Sequence, residues 1–163
     1  MLSRTFLWPQ GYTSAAMISV NLDAEFYGRI FYPGIDVSEG DIQRLGWTGM
    51  EYGLPHLLDC FREHGVKGTF FIPGRVAELY PDAVRAIADA GHELGCHGYE
   101  HEILAHFTPE EQLELLKKAK AAIEKAAGRA VTGFRMPEGE ITEQTLVAAK
   151  EAGFAYSSSL SNT

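Results

Sequence analysis

The segment Cys96-His97-Gly98-Tyr99-Glu100-His101 sets two imidazoles four residues apart, directly after the run Gly91 to Cys96. On one turn of helix, side chains at i and i+4 leave the same face with Cβ atoms roughly 5–6 Å apart, so both rings could reach one ion. Six histidines in 163 residues will sometimes fall at this spacing by chance. The pair therefore gains weight only if a third ligand arrives from the end of another strand. Asp23 is the candidate. Two neutral imidazoles and one carboxylate, with positions left for water and substrate, make a catalytic zinc-type set; the same set also serves iron(II) and oxygen chemistry. Asp23 would otherwise cap a turn at a strand end. Glu25 falls on the same face by alternation, either to orient a ligand histidine or as a solvated loop acid. His92, His56 and His64 read as structural hydrogen-bonding residues, and His106 as a solvated loop position.

The elements that must position these groups alternate. Ala15 to Leu22 is short, apolar and followed at once by acids, which predicts a buried strand. Asp23 to Trp47 carries Gly, Pro and aromatics without a sustained period and reads as a long loop. Its aromatics, Phe26, Tyr27, Phe31, Tyr32 and Trp47, suit a wall facing substrate, because loops of this length are seldom idle. A helix follows over 51–65, in whose apolar pattern Cys60 reads as core, with Gly65 as its terminating glycine. Strands at 66–72, 92–96, 130–135 and 154–160 then alternate with helices at 75–91, 108–128 and 142–154. The third of the four helices opens on Thr108, Pro109 and Glu110, a cap residue, a first-turn proline and an acid. Alternating strands and helices imply parallel pairing with right-handed crossovers, hence a βα barrel or a doubly wound sheet.

In both architectures the active site lies at the carboxyl ends of the strands. Asp23 and Glu25 follow the first strand, His97 and His101 the third, and Arg135, Pro137 and Glu138 the fourth. That convergence supports a metal site more than any single motif does.

The composition fits a globular domain: 45% hydrophobic, 22% charged, and long enough to bury a core. A net charge of −8, from 14 basic and 22 acidic residues, argues against nucleic acid or an anionic membrane surface as partner. Pro9, Gln10 and Gly11 interrupt the N-terminal apolar residues before a signal-type segment forms, and no run approaches the roughly 20 residues that span a bilayer. Two cysteines fit a reducing compartment without a disulfide framework. These features predict a cytoplasmic location.

With the pieces in order, "SVNLDAE", "GVKGTFFIPG", "AGHELGCHGYEH", "GFRMPEG" and "GFAYSSSL" together resemble the polysaccharide deacetylase family, which shares a NodB-type homology domain. The "LDAE" and "GHELGCHGYEH" forms look most like its intracellular branch, which includes peptidoglycan-type deacetylases and metal-independent allantoinase-like relatives. The resemblance implies a distorted βα barrel over residues 1–163, a divalent metal held by Asp23, His97 and His101, and hydrolysis of an N-acetyl amide on a sugar or of a related carbon–nitrogen bond. It implies a small-molecule or carbohydrate substrate, which would meet Pro137 and the loop aromatics Phe26, Tyr27 and Trp47 already read as a substrate-facing wall. It also gives Arg135 the task of orienting a carboxylate, and places an oxyanion donor in the backbone near Pro137 and Glu138.

One departure matters. Many family members carry adjacent aspartates after the first strand, a base and then a ligand, whereas this chain reads Asn21-Leu22-Asp23-Ala24-Glu25. If Asp23 takes the base position, Ala24 removes the ligand. If Asp23 is the ligand, Asn21 stands where some relatives have an acid, and proton abstraction falls to Glu25, to Glu138 or to the ion's own activation of water. The second alignment is preferred because Asn21 and Asp23 then point to one side of the strand. The alternatives are a degenerate binding domain or an allantoinase-like cyclic amide hydrolase. About five strands fall short of a full barrel. The expectation is therefore a domain truncated at its C-terminus, or one that covers its exposed strand edges by self-association.

Overall fold

The structure is a computed structural model that describes residues 10–26, 38–139 and 141–159. Its frame is one parallel sheet of five strands in the order of the chain: β1 (Ser19–Asn21), β2 (Thr69–Ile72), β3 (Glu93–Cys96), β4 (Gly133–Phe134) and β5 (Tyr156–Ser157). The register runs Asn21 to Phe71, Phe71 to Gly95, Gly95 to Gly133 and Gly133 to Tyr156. This is the α/β architecture of parallel strands expected from the alternation, open rather than closed. β2 is buried at all four positions, as a strand covered on both faces must be.

Among the described residues six α-helices connect the strands: α1 (Glu39–Thr48), α2 (Leu54–Glu63), α3 (Gly74–Leu79), α4 (Pro81–Asp89), α5 (Pro109–Ala127) and α6 (Glu143–Glu151). α5 starts in a capping box, with Thr108 Oγ1 accepting from Glu111 N and Glu111 Oε2 accepting from Thr108 N, and it ends at left-handed Gly128. Its inner stripe, Leu116, Ala119, Ile123 and Ala127, is buried. α6 likewise uses Thr142 as its cap.

Three expectations need correction. The segment after β1 is not one long loop: a 3₁₀ turn spans Ala24–Phe26, and α1 occupies Glu39–Thr48 with Ser38 as N-cap. Tyr27, Phe31 and Tyr32 lie outside the described residues. The helix expected over 75–91 is two helices, parted at Tyr80 because Pro81 disfavours helical backbone in the residue before it. Cys60 is exposed rather than in the core, since α2 buries Leu54 and Phe61 and turns Cys60 away from them.

His92 is structural, as expected. It is buried beside Phe61 and Phe70, its Nδ1 accepts from Gly68 N at 3.1 Å, and burial lowers its pKa, with Lys67 and Arg129 adding to the effect.

Two close contacts hold the strand-end loops. Gly46 of α1 lies so near the backbone of Ala24 and Glu25 that a Cβ would overlap it. Gly74, at the start of α3, sits where a Cβ would be 2.5 Å from Ala119 Cα and 2.8 Å from the Tyr99 ring. Gly74→Val must displace the α5 backbone and should cost about 2–3 kcal/mol, the range of overpacked cores. Denaturant titration checks this; an unchanged midpoint would show that the contact can relax.

Candidate metal centre

Asp23 leaves β1 two residues after its end. Leu22 N still bonds to Phe71 O at 2.9 Å, and Ala24 then adopts φ 47° to start the 3₁₀ turn. His97 follows β3 directly, its N–H held by Ile72 O at 2.9 Å. His101 is reached through a loop with Gly98 at φ 75° and His101 itself at φ 62°. The histidine pair is thus not on a helix, contrary to the reading from its spacing. The loop brings the rings together by another route, centroids 4.9 Å apart at 75°.

That loop is fastened on two sides. Gly74 N and Arg75 N, at the start of α3, donate to Gly98 O and Tyr99 O at 3.0 and 2.8 Å. The Glu102 carboxylate accepts from Tyr99 N at 2.8 Å and from Glu100 N.

The three candidate ligands converge. His97 Nε2 lies 3.7 Å from Asp23 Oδ1, and His101 Nε2 lies 3.7 Å from Asp23 Oδ2. One ligand atom from each lies within 4.8 Å of the others. Ligands about 2.0–2.1 Å from a tetrahedral ion stand roughly 3.3 Å apart, so closing on an ion needs only a small contraction.

All three side chains are buried, and Asp23 Oδ1 and His97 Nε2 have no hydrogen-bond partner among the described residues. Buried polar atoms are ordinarily paired, and leaving one unpaired costs about 1–3 kcal/mol. Two orphans facing one another from separate loops fit a divalent cation. His97 Nδ1–H donates to Arg135 O at 2.8 Å, which fixes the tautomer and leaves Nε2 bare. Asp23, His97 and His101 therefore fit a metal ion.

The electrostatics agree. Burial, with Glu138 adding its negative charge, raises the Asp23 carboxyl from 3.8 to about 7. Burial likewise lowers His97 to about 4, with His101 and Arg135 contributing, and it lowers His101. Without a cation both histidines are neutral and Asp23 is reluctant to ionise. Binding an ion must then displace the Asp23 proton below pH 7. Zinc affinity should rise by at least about tenfold per pH unit as pH climbs towards 7 and level off above, as competition titration would show. A flat profile would mean that Asp23 is not a ligand. The metal-free protein has the opposite linkage: a raised carboxyl pKa lends stability below 3.8 that is lost as pH climbs through about 7.

The cavity at this site, about 280 Å³, is lined by Asn21, Asp23, His97, His101, Arg135, Met136, Glu138, Gly139, Ser158 and Ser159. Glu138 is the second carboxylate here, 3.9 Å from His101 Nδ1, on backbone at φ 58°. Ala24, His101 and Glu138 are the non-glycine residues with positive φ among those described, and each follows a strand end at this cavity. Such backbone costs energy and gathers at functional sites.

Among the described residues Arg135 has neutral hydrogen-bond partners rather than a carboxylate. It donates to Asn21 Oδ1, Ser19 Oγ and Ser158 Oγ at 2.9, 3.0 and 2.8 Å.

Other predicted residues fall elsewhere. Glu25 does not line the metal cavity: β1 ends at Asn21, so alternation no longer governs it, and Glu25 Oε2 accepts from Tyr80 Oη at 3.3 Å. Glu25, Phe26 and Trp47 line a neighbouring cavity of about 440 Å³ with Arg75, Tyr80 and Glu100. Phe26 itself is buried, while Trp47 is exposed and stacks edge-on against Tyr52. Pro137 is buried and is not among the residues lining the metal cavity, its ring 3.2 Å from where a Gly98 Cβ would stand. Tyr27 lies outside the described residues. Sequence reasoning missed Ser158 and Ser159, although the strand-end rule applied to "YSSSL" points to them.

Comparison with known proteins agrees with this frame. The sequence model of the polysaccharide deacetylase family matches residues 47–157, and the chain belongs to that family. It is 36% identical over 129 residues to a peptidoglycan deacetylase of Helicobacter pylori, covering 79% of this chain and 43% of that protein. Its fold matches the crystal structure of a candidate polysaccharide deacetylase from Mycobacterium smegmatis with a TM-score of 0.84 and 34% identity, over 95% of this chain and 54% of that one. It also matches a family pseudoenzyme from Bacillus anthracis, with a TM-score of 0.63 and 30% identity, over 67% of this chain and 38% of that one. A mutant of that pseudoenzyme has restored enzymatic activity. The chain thus spans about half the length of these relatives. Among the described residues no helix is long and apolar enough to cross a membrane.

Proposed function

We propose that this chain is the metal-binding part of a hydrolase that removes acetyl groups from N-acetylated sugars of a polysaccharide, with peptidoglycan glycan as the substrate class. The observation that carries this reading is the convergence of Asp23, His97 and His101, with buried ligand atoms unpaired, in a chain of the polysaccharide deacetylase family. The three residues would hold one divalent ion, zinc by the chemistry of two imidazoles and a carboxylate. When bound, that ion supplies Lewis acidity that polarises the acyl carbonyl and acidifies water.

The chain's own groups do the rest. Glu25 lies outside the metal cavity and Asn21 cannot take up a proton, so among the cavity's residues Glu138 would accept one from the attacking water. The water oxygen joins the acyl carbon, the carbon–nitrogen bond breaks, and the proton passes to the departing nitrogen, leaving acetate and an amine. Trp47 and the aromatic cavity beside it suit the apolar face of a neighbouring sugar.

A second reading has its own support. Asn21 is neutral, and a pseudoenzyme is among the structural matches, which favours a domain that binds metal and glycan without turnover. Acetate release from N-acetylglucosamine oligomers decides between them: the hydrolase reading expects release that requires zinc and stops with chelator. Zinc-loaded full-length protein that binds the oligomers but releases no acetate would establish the second reading.

A further inference from the structure

Arg135 does more at the cavity than brace the sheet. Its guanidinium lies over the Phe71 ring, 4.1 Å from the centroid, and spreads donors to both edges: Nη1 to Asn21 Oδ1, Nη2 to Ser19 Oγ and Ser158 Oγ, and Nε to Ser158 O at 3.3 Å. A guanidinium has five N–H donors and no acceptor. Each neighbour must therefore turn an oxygen towards it and its own hydrogens away.

For Asn21 this settles the orientation of the amide. Oδ1 faces Arg135, so Nδ2–H₂ faces the other way, and Asn21 lines the metal cavity. For Ser158 the hydroxyl oxygen accepts from Nη2, so its O–H is free to donate, and Ser158 lines the same cavity. The wall beside the candidate ligands thus offers directed hydrogen-bond donors at the position where some relatives have an acid.

We propose that Asn21 Nδ2 and Ser158 Oγ, oriented by Arg135, form a donor pair that binds a ligand oxyanion: the carboxylate of an acyl product and the oxygen of the tetrahedral species that precedes it. Preformed donors aimed at developing negative charge favour the transition state over the ground state. The acyl identity rests on the deacetylase reading; the donor pair does not, because it follows from the Arg135 contacts alone. Position 21 is then a binding position whose amide is required, and a carboxylate there would harm it.

Acetate is the probe. Its binding is followed by titration of ¹³C-acetate in the NMR spectrum, with zinc-loaded and zinc-free protein, for wild type, Asn21→Ala, Asn21→Asp, Ser158→Ala and Ser158→Thr. Circular dichroism and zinc content confirm that each variant is folded and loaded. Asn21→Asp should weaken acetate binding at least tenfold, because it exchanges a donor for a negative acceptor. Asn21→Ala and Ser158→Ala should each weaken it roughly three- to tenfold, the worth of a charge-assisted hydrogen bond, and Ser158→Thr should restore it. Acetate bound equally by wild type and Asn21→Asp would overturn the proposal, as would an Asn21→Asp variant that releases acetate from glycan faster than wild type. If wild type holds no zinc, the metal reading has failed while the zinc-free titration still judges the donor pair; absence of any difference there overturns it.

Discussion

Replacing His97 with Ala should abolish zinc binding, from about one ion per chain to none. The wild type should also gain about 2.7 kcal/mol of stability when free zinc stands a hundredfold above its dissociation constant, and the variant should gain nothing. The reason is geometric. His97 Nε2 is buried without a partner while its Nδ1–H is tied to Arg135 O, so the ring has one bare nitrogen and one place to direct it. His97→Ala also removes that bond and leaves a cavity, so the test is the zinc-induced shift and not the starting stability. His101→Ala provides a second arm, since its Nε2 meets the other oxygen of Asp23. Zinc that still stabilises both variants would place the ion elsewhere.

Glu138→Gln should lower the rate of acetate release by roughly 10²–10⁴, the contribution of a positioned general base, while zinc content stays at the wild-type level. The substitution keeps the shape and removes the ability to take a proton. Glu138 Oε1 is also 3.9 Å from His101 Nδ1, a distance that equally suits orienting that ring. The two roles separate in one experiment: loss of rate with zinc retained identifies the base, and loss of zinc affinity identifies support of the ligand.

Much of this frame is legible in the residues alone because it rests on local rules. The Thr108 cap, the first-turn Pro109 and the terminal Gly128 delimit α5 without reference to anything distant. Strand ends are legible from the alternation, and the rule that parallel sheets bind ligands at their carboxyl edges brings Asp23, His97 and His101 together from sequence alone. The histidine spacing pointed to the right pair for a different reason, since the loop is shaped by Gly98, by His101 in a left-handed conformation, and by the start of α3. Glu25 was misplaced because alternation holds only while the strand lasts, and β1 ends four residues earlier. Partners of Arg135 could not be read at all. Ser19 and Asn21 stand more than a hundred positions before it, and β2 and β3 lie between their strand and β4 in the sheet. Gly46 and Gly74 are likewise silent in sequence; what forbids a side chain there is a backbone from another element.

X-ray absorption at the zinc edge of the loaded protein tests the central claim most directly. The account predicts a first shell of nitrogen and oxygen at about 2.0–2.1 Å with the outer-shell scattering of two imidazoles. It also predicts that Asp23→Ala removes the bound zinc. A shell containing sulfur near 2.3 Å, or a spectrum unchanged by Asp23→Ala, would contradict it.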